Sequence, residues 1–255
     1  MTACLIFLGF QVEGHSVSRS AIPQYSFSVS DNQSSLTDQD VQFLFSVLSK
    51  VYAPLLNNKE KSWTNGYDWT NPYLGAGSKL DGDDFSVMLW GGFVRSRGMN
   101  LGALAATLCH EVGHRLGGAP FQKFPGSDPD WSSAEGQSDY FAATNCLPQI
   151  YKIFRDQFPA RLENTELENF SISLCQNSVD FSQCRWVAQA GVDLIEMLQL
   201  YFDLNAPLAN AANWTNELAQ KTLFTAYPTA QCRMDIYKSG AENSNAQRLP
   251  CWYQE

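Results

Sequence analysis

The run His110-Glu111-Val112-Gly113-His114, followed 21 residues after its second histidine by Glu135 and then Asp139, constrains this 255-residue chain more than any other feature. In a helix, positions i and i+4 lie about 40° apart around the axis, so His110 and His114 project one above the other from a single face. Glu135 and Asp139 stand in the same relation on a second helical segment. The spacing predicts two short-linked helices that share nitrogen and oxygen donors. His110, His114 and Glu135 form a ligand set for zinc, which is usually tetrahedral and keeps a position for water when three protein groups hold it. Glu111 is not needed as a ligand and is placed to take a proton from that water. Asp139 reads as the group that fixes a ligand histidine's tautomer through its other ring nitrogen. The plainer alternatives are two polar core histidines and an ordinary solvated or helix-pairing Asp139.

On these residues the chain resembles the gluzincins, the thermolysin-like zinc metallopeptidases, whose signature joins His-Glu-x-x-His to a downstream Glu-x-x-x-Asp. More narrowly, CHEVGHRLGGAP (Cys109 to Pro120) and EGQSDYFA (Glu135 to Ala142) are similar to a group of exported bacterial metallopeptidases. The likeness covers residues 81–147 and the Cys-rich end near 227–253. It implies a zincin-like fold, one catalytic zinc ion, a polypeptide substrate and hydrolysis of its peptide bonds by water that Glu111 deprotonates. It also implies an antiparallel edge strand that pairs with the substrate. Phe85 to Phe93 is in the right place for it, with Leu89, Trp90, Gly91 and Gly92 as the contact, and a half-buried strand without substrate contact is the alternative.

One departure from the family bears on the chemistry. Thermolysin-like enzymes carry a later histidine that steadies the oxyanion, whereas the histidines here are His15, His110 and His114. A hydroxyl or guanidinium can supply such a donor. Tyr227 is the first candidate and Arg233 the second, against the readings that the Tyr227 hydroxyl is satisfied structurally and that Arg233 pairs with Asp235. Two other functional readings stand beside the endopeptidase. One is a catalytically impaired, metal-bound binding or structural domain, and the other a zinc exopeptidase or a hydrolase of another bond.

Composition narrows the class. With 44% hydrophobic, 13% aromatic and 17% charged residues, the chain is expected to be ordered and to bury a full core. A net charge of −9 argues against nucleic acid as a partner, since phosphates call for a basic surface. No stretch approaches the ~20 apolar residues of a membrane-spanning helix. Oligomeric state has no signature in the sequence.

The opening Ala3 to Phe10 resembles the apolar core of a secretory signal. Residues 1–20 are therefore read as a signal segment, short and without a preceding Lys or Arg, cleaved between Gly14 and Ser20. A lipid anchor on Cys4 has little support from Met1-Thr2-Ala3. Removal of Cys4 leaves six of the seven cysteines, an even number that suits an exported, secreted or periplasmic protein. The spacings of Cys175 with Cys184 and of Cys232 with Cys251 suit local staples. Cys109 and Cys146 are placed to clamp the two ligand-bearing helices, although six cysteines permit 15 pairings and buried free thiols are the alternative.

Along the chain, Thr37-Asp38-Gln39-Asp40 opens a helix carrying Val41, Leu44, Phe45, Leu48 and Tyr52 and ending before Pro54. Residues 57–80 read as irregular, and Asp81-Gly82-Asp83-Asp84 as a turn into a strand from Phe85 to Val94. Calcium at Asp81, Asp83 and Asp84 lacks the spacing of an EF-hand loop, so a solvated turn is favoured. Asn100 caps the metal helix, whose stripe is Leu101, Leu104, Ala105, Leu108 and Val112, and Gly117-Gly118 ends it. Ala119 to Trp131 forms a cleft-side loop, and Ser132 or Ser133 caps the Glu135 helix. The remainder is mostly helical, notably Arg185 to Asp203, with breaks at Pro207 and Pro228. Asn32, Asn169 and Asn213 lie in Asn-x-Ser/Thr sequons. The expected fold is α+β within one catalytic domain over residues 21–255. A small N-terminal lobe (36–118) holds a mixed or antiparallel sheet and the metal helix, and a mainly helical, disulfide-stapled C-terminal lobe follows (119–255).

Overall fold

Helix α1 (Asp38–Leu56) begins where the acidic turn predicts it. Thr37 and Asp40 cap each other: the Thr37 amide donates to Asp40 Oδ2 at 2.7 Å, and the Asp40 amide donates to Thr37 Oγ1 at 3.3 Å. Its stripe of Val41, Leu44, Phe45, Leu48 and Tyr52 is buried. The helix runs past Pro54 rather than stopping before it, because a proline in the last turn forfeits a single backbone hydrogen bond. The computed structural model describes residues 26–56, 63–123, 131–155, 165–202, 207–243 and 245–255. The expected signal segment, with Cys4 and His15, and the loop centre 124–130 lie outside them.

The stretch expected to be irregular contains two strands, β1 (Trp63–Asp68) and β2 (Ala76–Asp81), and β3 (Asp84–Trp90) follows. Their Gly, Asn and Lys content hid them, since strand formation here rests on pairing with β3 rather than on local propensity. The sheet is mixed, in the order β1-β3-β2, with β1 parallel and β2 antiparallel to β3. On β3, Phe85, Val87 and Leu89 are buried and alternate with less buried residues. Each such burial contributes roughly 1.5–3 kcal/mol.

This topology corrects the expectation of a substrate strand. β3 is central, with β1 and β2 paired to it along its length, so its ladder has no free edge. The strand also ends at Trp90, and Gly91–Val94 forms the short helix α2. The two glycines do admit a close backbone, but it is the chain's own: a Cβ on Gly91 would lie 1.9 Å from Trp69 O, and one on Gly92 would lie 1.9 Å from Pro72 O. Asp81 to Asp84 form the β2–β3 hairpin turn, and Asp81 pairs with Lys79 at 3.0 Å on the surface.

The chain divides into two compact units. The first ends at Asn100 and takes back the segment from Met197, whereas the second holds Leu101–Glu196 and Pro207–Glu255. The metal helix α3 (Leu101–Leu116) thus belongs with the helices after it, not with an N-terminal lobe ending at 118. It is buried from Ala103 through His114 on every face rather than along one stripe, as a central helix is. Against it lie α4 (Glu135–Phe141), a π-helical turn (Ala142–Cys146) and α5 (Leu147–Phe154). Helices α6 (Thr165–Cys175), α7 (Phe181–Gln199) and α8 (Ala230–Glu242) follow, so the helix expected over Arg185 to Asp203 starts and stops four residues earlier.

Three disulfides, Cys109–Cys146, Cys175–Cys184 and Cys232–Cys251, tie the second unit, a content suited to an oxidising compartment. Among the described residues, no helix is long and apolar enough to cross a membrane. The protein is α+β, with a small mixed sheet, several helices and three disulfides.

Candidate metal centre

Gly113, between the two histidines, lets α4 approach α3. A Cβ there would meet the Ser138 carbonyl oxygen at 2.8 Å and Cα at 2.9 Å, closer than real Cβ contacts come. The Cys109–Cys146 bridge, with Cα atoms 5.5 Å apart, fastens α3 to the π-helical turn that continues α4. Ser132 and Ser133 do not cap α4, because Ala134 occupies the N-cap position. The Ser133 hydroxyl donates to Gly118 O at 2.7 Å and the Ser132 hydroxyl to Gln122 Oε1 at 3.2 Å, so both serve the loop between the helices.

His110, His114 and Glu135 form a buried group that can hold a metal ion, their donor atoms lying within 4.8 Å of one another. Glu135 Oε2 is 3.1 Å from His110 Nε2 and 3.7 Å from His114 Nε2, and the imidazole rings stand nearly perpendicular at 88°. Each ring is held from behind. His114 Nδ1 lies 2.9 Å from the Ser133 carbonyl, which can only accept, so that nitrogen carries the hydrogen and Nε2 presents a lone pair. Nε2 is buried with no hydrogen-bond partner among the described residues, an exception that calls for a ligand. His110 Nδ1 lies 2.7 Å from Asp139 Oδ1, which turns His110 Nε2 toward Glu135 in the same way.

Asp139 is fully buried and collects donors. Arg233 reaches it with Nε at 2.7 Å and Nη2 at 2.9 Å, and the Tyr237 hydroxyl donates to it at 3.3 Å. Arg233 and Tyr237 are i and i+4 on α8, so one helix face supplies both. Arg233 does not pair with Asp235. That carboxylate instead bonds Lys238 at 2.7 Å and accepts from the Thr215 amide at 2.6 Å.

The charges follow from these contacts. Burial works to lower the His110 pKa, but Asp139 and then Glu135 outweigh it and raise the pKa to about 10. His114 faces no carboxylate from behind, and burial lowers its pKa to about 4. Against burial, His114, His110 and Arg233 hold the Glu135 carboxyl below its ordinary value, and Arg233 with His110 holds Asp139 well below the usual carboxylate range. Burial, then Glu135, pushes the Tyr227 hydroxyl well above its ordinary value.

The structure thus assembles His110, His114, Glu135, Asp139 and Arg233, and sets the Arg233 guanidinium 5.2 Å over the Tyr227 ring. Glu111 is 2% exposed on α3, and its charge is felt at the hydroxyls of Tyr227 and Tyr237. Leu89, Trp90, Gly91 and Gly92 belong to the other unit, where their backbone is already engaged. Among the described residues, His110, His114 and Glu135 are the one group that can hold a metal ion. Sequence reading missed Gln122 and Tyr237, and it named Ser132 only as a helix cap. Only Tyr237 had a signal, its i+4 spacing from Arg233. Comparison with family models finds no match for this chain, and comparisons with curated proteins and with solved structures find none either.

Proposed function

We propose that this chain is an exported zinc metallopeptidase of the gluzincin kind. The observation that carries the reading is the convergence of His110 Nε2, His114 Nε2 and Glu135 Oε2, with both imidazoles held through Nδ1 so that Nε2 faces the other donors. Tetrahedral zinc, with bonds of ~2.0–2.1 Å, sets its donor atoms about 3.3 Å apart, and the separations of 3.1 and 3.7 Å straddle that value. A bound zinc ion supplies a Lewis acid that polarises a carbonyl and acidifies water. Glu111 takes the proton of the attacking water and returns it to the leaving amine. Asp139, anchored by Arg233, keeps His110 oriented. Two of the three Arg233 nitrogens are committed to Asp139, so the Tyr227 hydroxyl, protonated at neutral pH as any tyrosine is, is the better donor for the oxyanion. The three disulfides and the apolar Ala3 to Phe10 opening support export.

The test is metal content and casein hydrolysis of the purified protein beside two variants. Glu111→Gln is expected to keep stoichiometric zinc and lose hydrolysis by about 10²–10⁴-fold, whereas His114→Ala loses both. Equal zinc loss in the two variants would show that Glu111 is a ligand or a structural residue. One observation favours a second reading, a metal-bound binding or structural domain: His110, His114 and Glu135 are only 0–2% exposed, as ions held for stability are. Stoichiometric zinc without hydrolysis of any peptide would decide for it.

A further inference from the structure

We propose that Gln122 is a positioning residue that confines Glu135 to ligation through one oxygen, an inference that rests on the metal reading above. Gln122 is 4% exposed and fixed at its main chain, its amide donating to Ser132 O at 2.8 Å while the Ala134 amide donates to Pro120 O at 2.8 Å. These bonds flank the antiparallel bridge of Phe121 with Ser133 and bring the Gln122 side chain over the start of α4. Its Nε2 donates to Glu135 Oε1 at 2.9 Å.

The direction of that amide is fixed by the Glu135 carboxylate, which can only accept. Gln122 Oε1 accepts from the Ser132 hydroxyl at 3.2 Å, and the Ser132 oxygen lies 3.2 Å from His114 Nδ1. A reversed amide would set its oxygen against a carboxylate oxygen. Nε2 therefore faces Glu135. The two Glu135 oxygens are divided as a result: Oε1 is taken by the amide, and Oε2 is the one near both His110 Nε2 and His114 Nε2.

A carboxylate with both oxygens open can grip a divalent ion with either one or two of them, and the two-oxygen grip fills a coordination position. The Gln122 amide removes that choice. It leaves three protein donors and a position for an outside ligand, and it does so without adding charge to a site already holding Glu111, Glu135 and Asp139. The same amide is held in turn by the Ser132 hydroxyl, so the orientation of Glu135 is supported from the loop before α4.

The full chain loaded with Co²⁺ tests this through its visible spectrum, and zinc X-ray absorption counts the ligating oxygens. Wild-type protein is expected to give a four-coordinate spectrum. Gln122→Met, similar in length but without a donor, is expected to shift to the weaker bands of a five-coordinate ion as Oε1 joins Oε2. Ser132→Ala, which frees the amide to turn, should move the spectrum part of the way, and it decides the matter should Gln122→Met not fold. A Gln122→Met protein that holds cobalt with the wild-type spectrum overturns the role of Gln122 alone. Two-oxygen ligation in the wild-type protein does the same. Wild-type protein that takes up no cobalt overturns the metal reading itself.

Discussion

The two units bury charge in opposite ways. In the first, Arg95 is fully buried and is satisfied by main-chain carbonyls: its Nε donates to Ser28 O at 2.9 Å, and its guanidinium also reaches Phe27, Trp69 and Asn71. The buried residues of α1 and β3 in the same unit are apolar. The second unit buries His110, Glu111, His114, Glu135, Asp139, Arg233, Asp235 and Lys238, each 2% exposed or less. A single cation neutralised by carbonyl dipoles acts as a staple between segments. A cluster of ionisable groups rarely improves on well-packed apolar residues for stability, so its retention points to a task.

The largest expected effect separates the two branches of that cluster. Asp139→Asn leaves Arg233 buried without its counter-charge and should cost about 3–5 kcal/mol, read by denaturant unfolding, while weakening zinc binding about 10–100-fold. Lys238→Met strands Asp235 at a similar cost, yet it touches no ligand and should leave zinc affinity unchanged. Equal loss of zinc in both variants would erase the distinction between a branch that serves the metal and one that serves the fold.

A smaller effect concerns covalent support. Replacing Cys109 and Cys146 together by Ala should cost about 2–4 kcal/mol and raise amide exchange in α3 and α4. Exchange in β1, β2 and β3 should not change. The Cys175–Cys184 bridge spans 9 residues rather than 37, so its removal should cost less. Faster exchange across the sheet would show that the two units do not hold their stability separately.

The last effect is in pH. With zinc removed by a chelator, the raised His110 pKa contributes stability that is complete below the ordinary value of 6.5 and is lost as pH rises towards about 10. The lowered His114 pKa acts in reverse, contributing above 6.5 and losing that contribution as pH falls towards about 4. Thermal unfolding of the metal-free protein should therefore peak near pH 6.5, the shared ordinary value. Zinc uptake at pH 7 should release the His110 proton, measurable by titration calorimetry in buffers of different ionisation enthalpy. Uptake without proton release would mean that His110 is neutral before the metal arrives.

Much of the second unit was legible because its signals are local. The i, i+4 histidines and the Glu135–Asp139 pair each sit within one or two helical turns, where the 3.6-residue period fixes direction, and the acidic start of α1 in the first unit is legible for the same reason. The strands β1 and β2 were not legible, since Trp63–Asp68 and Ala76–Asp81 become strands only beside β3. Reading Phe85 to Val94 as an edge failed for the same reason: a strand's neighbours are not written in its own residues.

By itself, then, the sequence determined the donor types, their helical spacing and an even set of cysteines for the described fold. Tertiary structure decided which groups face each donor. Arg233 meets Asp139 across 94 residues, and Gln122 meets Glu135 from a loop with no periodic pattern. Local backbone geometry sets side-chain direction over a few residues, whereas contacts across longer separations depend on how whole elements pack, and here Gly113 and the Cys109–Cys146 bridge set that packing.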